Sequence, residues 1–429
     1  MKISLTKFKD AIERIFVFIV LQLFSGAIIQ VISKVSGVAV DSVSGDPKMQ
    51  ILWSGIYLIT FLLTFRQWKQ FIHVALRNKL LLLLIGIALV SFLWSAAPQV
   101  TLRRSVALVG TTLFGVYLAT RYSPSQLLRL LAWTFGIGAV LSIVFALALP
   151  EYGLQPFGGT MPWRGIYRHK NLLGRIMSLN VIILLLLAPS NPRYRWLIWP
   201  GIALSAGLLL LSQTKGGLLS FVILLILLVI YKALRLNYTL VLPFLIIVLN
   251  AAGVVIMWLV NNLEPLLTSI GKDITLTSRT PLWESVIHKI QERPLLGYGY
   301  SAFWLGWQGE SADIWQVGWD APNAHNGILD LCINLGLIGL IVFLLGFFVT
   351  FIRGIRWVRL TKTPEPIFVL IYLTYMLVNS QSESNLLGQN DIFWVLYVAV
   401  SFAIPRTCII ESEIDKKRNS KENGYLKCV

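Results

Sequence analysis

The sequence predicts an all-α polytopic membrane protein, and three observations carry that expectation. The 429 residues are 56% hydrophobic and 13% charged, with a mean hydropathy of +0.71, an apolar excess that soluble domains do not carry. A helix needs about 20 apolar residues to cross roughly 30 Å of hydrocarbon, and about twelve suitable stretches recur along the chain. Lys and Arg collect in alternate connections between those stretches, as topology requires.

The first stretch, 11–32, lacks a small-residue cleavage site and is followed directly by others, so no cleavable signal peptide is expected. The next are 49–65, a short one at 80–94, 104–120, 127–149, 171–188, 196–211, 216–234 and 240–260. A long polar segment, 261–324, precedes the last three, 325–351, 367–379 and 389–405. With the N-terminus cytoplasmic, inner connections hold Arg66, Lys69, Arg77 and Lys79, then Arg121 and Arg129, Arg193 and Arg195, Lys232 and Arg235, and Arg353 to Lys362. Residues 1–405 read as one transmembrane domain. The basic tail, 406–429, reads as a cytoplasmic, disordered segment.

This arrangement accounts for most of the net charge of +17 as a topology signal and an attraction to anionic lipids of the inner leaflet. Nucleic acid is not an expected partner, because the charges are scattered over many short loops and do not form one face. Cys332 falls in a span, with Cys408 and Cys428 in the tail, so no outer disulfide is available.

Four segments remain outside: 150–170, the tight junction 212–215, the large loop 261–324 and the short turn 380–388. Within the large loop, Pro281 opens a short amphipathic helix over 281–292, with Leu282, Val286 and Ile290 at spacing four. Six cations cluster at three outer junctions: Arg164, Arg168, Lys170 and Arg175 near the span at 171, Lys215 at the second junction, and Arg279 in the loop. A cation beside hydrocarbon costs about 2.5–3.5 kcal/mol. Snorkelling to headgroups explains any one of them. Six together fit a shared anionic ligand better, with Arg forks matching phosphate oxygens and Lys acting as a point charge.

Of the four histidines, His73 and His288 read as solvated. His169 lies within Arg-His-Lys, where neighbouring charge disfavours its protonated form, and it can bind a polar ligand group. His325 begins a helix, and the helix dipole and nearby guanidinium groups disfavour imidazolium there. A neutral imidazole is fit for general-base work, although a capping histidine bonded to backbone explains the residue equally well. Metal chemistry is not expected, since Asp313, Asp320, Asp330, Glu284 and Glu310 are spread without ligand spacing and no His-X-X-X-His occurs. No cofactor is expected either, as no Gly-rich nucleotide loop is present.

Five stretches carry a resemblance. They are Trp163–Gly174, Ser212–Gly217, Ser278–Trp283, Arg293–Gly299, and Ala324–Gly327 leading to Leu335-Gly336. Their order, spacing and the large loop before His325 resemble the O-antigen ligase and Wzy polymerase superfamily, and most of all the exopolysaccharide polymerases of the ExoQ kind, over about residues 80–405. The resemblance implies a helical glycosyltransferase of the C type (GT-C) in the bacterial inner membrane, with a periplasmic active site. It implies an undecaprenyl-pyrophosphate-linked oligosaccharide as donor, a glycan or lipid-linked acceptor, membrane lipids and a chain-length regulator as partners, and metal-independent inverting transfer. By the same resemblance His325 matches the catalytic base and Arg279 a pyrophosphate-binding arginine. Lys215 stands where many relatives carry arginine, which keeps the charge and loses the bidentate fork. Arg164 is expected to assist with the pyrophosphate, and Arg168, His169, Lys170, Arg175 and Asn326 to contact substrate. The block from Arg164 to Lys170 favours a polymerase. The alternatives are a ligase that transfers finished glycan to another acceptor and, from another class, a flippase of lipid-linked oligosaccharide. A flippase should show broken, charged mid-membrane helices, whereas polar residues here gather on one side.

Overall fold

The computed structural model describes residues 2–33, 46–157, 159–236, 279–315 and 321–405. The span expected at 240–260, loop residues 261–278 and the tail from 406 lie outside them. Among the described residues the fold is all-helical, with two isolated bridges (Leu154 to Trp163 and Phe157 to Thr160) and no strand. The longer helices are α1 (Lys2–Phe24), α2 (Pro47–Phe65), α3 (Lys79–Val90), α4 (Pro98–Arg121), α5 (Pro124–Ala148), α6 (Lys170–Leu187), α7 (Arg195–Leu211), α8 (Lys215–Ala233), α9 (Arg279–Glu292), α10 (Gly327–Leu360), α11 (Glu365–Ser380) and α12 (Ile392–Ala403).

Six of the described helices are long and apolar enough to cross a membrane: α2, α5, α6, α7 with its preceding turn, α8 and α10. The short helix Trp68–Ala75 and the α3 segment Lys79–Leu93 form a pair bent by 93°, which would make a seventh span. About twelve were expected from hydropathy alone. Part of the difference is physical. The expected third span proves to be one arm of the bent pair, α11 and α12 are short apolar helices, and α4 carries Arg103 and Arg104 on a helix that the bundle partly encloses.

Burial sorts the helices into layers. Nearly all of α6, α11 and α12 is buried, with Ile176, Leu179, Ile182, Leu370, Ile371 and Leu396 fully enclosed. α6 packs against α5, α7 and α8, while α12 packs against α4 and α11. The closeness of α4 and α12 depends on Gly115, where a Cβ would lie 2.7 Å from Val398. Small residues at a helix crossing let backbones approach in this way. The outer helices leave apolar side chains uncovered, such as Ile51 and Trp196, each 74% exposed. A belt of such residues is the expected surface of a bundle bathed in hydrocarbon.

The two ends of the bundle differ. One carries short basic connections braced by charge: Arg353 Nη1 donates to Arg77 O at 3.1 Å, Arg235 Nη1 to Lys362 O at 3.0 Å, and Arg121 pairs with Glu13 at 2.7 Å. The other carries the segments 91–97, 149–157, 159–169, 212–214, 279–315, 321–326 and 381–391, and it holds the candidate site.

Candidate functional site

The site is built on a broken helix. As one straight rod the 34 residues of α10 would run about 51 Å, well beyond a ~30 Å hydrocarbon layer. The span expected at 325–351 is instead interrupted at Gly336, whose φ is +64°. The chain from Pro294 to Ser301 fills the gap. Leu337 N donates to Pro294 O at 2.8 Å, Tyr298 N to Ile333 O at 2.8 Å, Gly299 N to Asn334 O at 3.0 Å, and Ser301 N to Asn334 Oδ1 at 3.0 Å. A Cβ on Gly336 would stand 2.1 Å from Leu295 O, so only glycine fits the crossing. On its other side the same segment accepts bonds from Ala96 N at 2.9 Å and Trp94 Nε1 at 3.0 Å, and Tyr300 OH donates to Leu387 O at 2.6 Å. Arg293–Gly299 and Leu335-Gly336, two of the five motif stretches, are therefore one structural unit.

Above the break sits the loop that bears His325. Its anchor is Asp330, on the short helical piece before Gly336. The Asp330 carboxylate accepts from Ala324 N at 3.2 Å, from Trp304 Nε1 at 2.7 Å and from the Ser384 hydroxyl. Trp283 Nε1 of α9 donates to Ala324 O at 2.9 Å, bringing the helix that starts at Arg279 to the same loop. Asn323 Oδ1 accepts from His325 N at 2.9 Å and from Ser384 Oγ at 3.3 Å. His325 itself has a φ of +48°, a left-handed conformation uncommon outside glycine. It is half-buried and stands one residue before the N-cap of α10, which is Asn326: the Asn326 side chain accepts from Ile328 N at 3.0 Å and Leu329 N at 3.2 Å. A role for Asn326 in binding substrate is thus limited to its amide nitrogen.

The 163–175 block forms the neighbouring wall. His169 caps α6, its Nδ1 accepting from Asn171 N at 3.1 Å. Arg164 spends its donors on the carbonyls of Tyr152 and Glu151, both at 2.9 Å, so it organises the loop. Lys170 is buried with Nζ 3.8 Å from the Phe157 ring centroid, while Arg168 is exposed. Arg175 Nη1 donates to Asn385 Oδ1 at 2.8 Å and its guanidinium lies 4.7 Å from the Phe393 ring. Lys215 opens α8 and is exposed; its junction is tied to this wall by Thr214 Oγ1, 3.2 Å from Lys170 O.

Glu383 is the residue that sequence reasoning missed. It lies in the 381–391 turn, next to Ser384, and its Oε1 accepts from Asn171 Nδ2 at 3.3 Å. Burial works against its charge, yet Arg175 and Arg279, with the Asn171 bond, hold it below the usual carboxylate range, and His325 adds to their effect whenever it is protonated. For His325, burial lowers the pKa, Arg279 acts in the same direction and Glu383 opposes them. The imidazole is therefore neutral at neutral pH, beside one charge of each sign. Burial pushes His169 down to about 4, helped by Lys170, Arg175 and Arg164 and opposed by Glu383. The structure thus brings His325, Arg279, Arg175 and His169 around Glu383. Two of the scattered outer carboxylates are ion-paired: Glu310 with Arg293 at 3.7 Å, and Asp313 with Lys289 at 2.9 Å. No group of three His, Cys, Asp or Glu side chains able to hold a metal occurs among the described residues.

Two comparisons bear on this site. Residues 200–344 match a family model described as O-antigen ligase, a stretch that includes Lys215, Arg279 and His325. The chain is also 26% identical over 338 residues to the "Exopolysaccharide production protein ExoQ" of Rhizobium meliloti (strain 1021), covering 74% of this chain and 75% of that protein. This polytopic helical protein is therefore shown to resemble the O-antigen ligase and polymerase superfamily, and within it the ExoQ exopolysaccharide protein.

Proposed function

We propose that this protein is a membrane glycosyltransferase that extends an exopolysaccharide or O-antigen by transferring a glycan from an undecaprenyl-pyrophosphate carrier, at the periplasmic face of the inner membrane. The observation that carries the reading is the meeting of His325, Arg279 and Glu383, drawn from three separate segments into one half-buried site.

In this reading His325 takes the proton from an acceptor sugar hydroxyl as that oxygen attacks the donor's anomeric carbon. The bond from that carbon to the pyrophosphate oxygen breaks in the same displacement, which inverts the centre. Negative charge grows on the departing pyrophosphate, and Arg279 is the cation best placed to receive it. Arg175, already bonded to Asn385, and the exposed Lys215 extend the positive field. As His325 gains its proton, Glu383 stabilises the imidazolium that forms, as an ionised carboxylate does beside a protonated histidine. Positioned acid–base groups of this kind contribute about 10²–10⁴-fold.

Reconstituted protein supplied with a lipid-linked repeat and no other acceptor tests the proposal. A ladder of products that vanishes with His325→Ala supports it, and an unchanged ladder in that variant refutes the assignment. The match to an O-antigen ligase model favours a second reading, transfer of finished glycan to a different acceptor. Product formation only after such an acceptor is added would select it.

A further inference from the structure

A groove of about 440 Å³ lies between α5, α6 and α7, away from the site described above. Trp133 and Val140 of α5, Leu184 and Leu187 of α6, and Leu197 and Leu204 of α7 wall it. Arg129, Asn191 and Tyr194 line its mouth at the end of the bundle that carries the short basic connections.

Three features specify an occupant. The first is depth. The groove follows α5 from Arg129 to Val140, about 16 Å along the helix axis, which is one leaflet of a ~30 Å hydrocarbon layer. The second is surface. Trp133 is 54% exposed and the walls are apolar, as an acyl chain requires. The third is charge. Between residues 47 and 263 the sequence has eighteen Lys and Arg and a single acid, Glu151, and Glu151 lies beyond the opposite end of α5. Arg129, with Arg193 and Arg195 on the adjoining exposed turn, therefore meets no carboxylate from any of the three helices that form the groove. Basic pockets between helices at the cytoplasmic side suit anionic headgroups.

We propose that this groove is a binding site for an anionic phospholipid, one acyl chain lying along α5 and the phosphate at Arg129, Arg193 and Arg195. The site is independent of the glycosyltransferase reading. Its consequence is mechanical: α5 and α6 flank the loop that ends in His169, so a lipid that ties them together stabilises the wall of the candidate site.

The groove can be closed cleanly. A Cβ on Gly136, a lining residue in a helical conformation, would meet no atom within 4 Å, so Gly136→Phe can start a bulky side chain into the groove without a clash at Cβ. Purified, delipidated protein is titrated with phosphatidylglycerol or phosphatidylcholine, with bound lipid read by native mass spectrometry and Tm by scanning fluorimetry. The expected result is saturable retention of phosphatidylglycerol, at least about tenfold preferred, with a rise in Tm. Gly136→Phe abolishes both effects while leaving the lipid-free Tm unchanged. Replacing Arg129, Arg193 and Arg195 by Gln, a surface change that leaves the walls intact, removes the preference, on the order of fivefold per charge. Equal retention of the two lipids overturns the proposal. So does retention that survives both variants, or displacement of phosphatidylglycerol from this groove by a polyprenyl phosphate.

Discussion

Two histidine-bearing loops meet at the same end of this bundle, and they differ in how their backbone is used. His169 has extended backbone, with a φ of −146°, and serves as the N-cap of α6 through Nδ1. That bond fixes the tautomer, leaving Nε2–H as a donor and no free ring acceptor. His325 leaves capping to Asn326 and takes a left-handed φ of +48° instead. Strain of that kind costs of order 1 kcal/mol or more and persists only where the surroundings over-determine it. Here the Asp330 carboxylate and Asn323 impose it. Their electrical settings differ as well. Three cations, Lys170, Arg175 and Arg164, join burial in lowering His169 to about 4, against one opposing carboxylate. At His325 the Glu383 carboxylate and the Arg279 guanidinium act in opposite directions. The same side chain is thus a hydrogen-bond donor in one loop and, in the proposed mechanism, a base in the other.

Substitutions in the two loops and beneath them should separate their roles. The largest effect is expected beneath both loops, at Gly336: Ala would meet Leu295 O at 2.1 Å, so Gly336→Ala should abolish accumulation of folded protein, read by immunoblot of membranes and size exclusion in detergent. Next comes His325→Ala, with a loss of about 10²–10⁴-fold in transfer and unchanged abundance in the membrane. Arg279→Gln follows, with a loss of about 10²–10³-fold, the scale for removing one donor that stabilises developing charge.

Glu383→Gln should cost less, about tenfold, on the scale of a modest change in charge stabilisation. Its pH profile is more telling. Transfer falls as pH drops through the pKa of His325, because the protonated ring cannot accept the acceptor's proton. Glu383 favours the protonated form and Arg279 disfavours it. Removing the carboxylate must therefore move the acid limb to lower pH, and removing the guanidinium must move it higher. Limbs that shift in the same direction would show that the two charges do not flank His325. The smallest effect belongs to the other loop. His169→Asn keeps a capping acceptor, and should change the rate less than about threefold with no shift of the limb.

Much of this was legible in the chain because it is local. Hydropathy exposed the apolar helices, the Lys and Arg pattern distinguished the two ends, and five short motifs marked the site region. Gly297, Gly299 and Gly336 could be noticed in the sequence, but their reason could not. They allow a segment forty residues away to lie in the break of α10, and no periodicity reports such a crossing. Arg164 shows the converse: its charge was visible, whereas its attachment to the Tyr152 and Glu151 carbonyls was not.

Composition and pattern determined by themselves that the chain is a membrane-embedded helical protein with its polar chemistry gathered at one end. They also marked His325 as a candidate base at a helix start and Arg279 as one of six outer cations, whose roles the family resemblance implied. Only tertiary structure decided that Glu383 joins them, that Asp330 anchors the histidine loop, and that Asn326 is a cap. The physical reason is range. Transfer energies and helix propensities are summed along neighbouring residues, whereas the field at an imidazole depends on charges that folding brings from α6, α9 and the turn before α12.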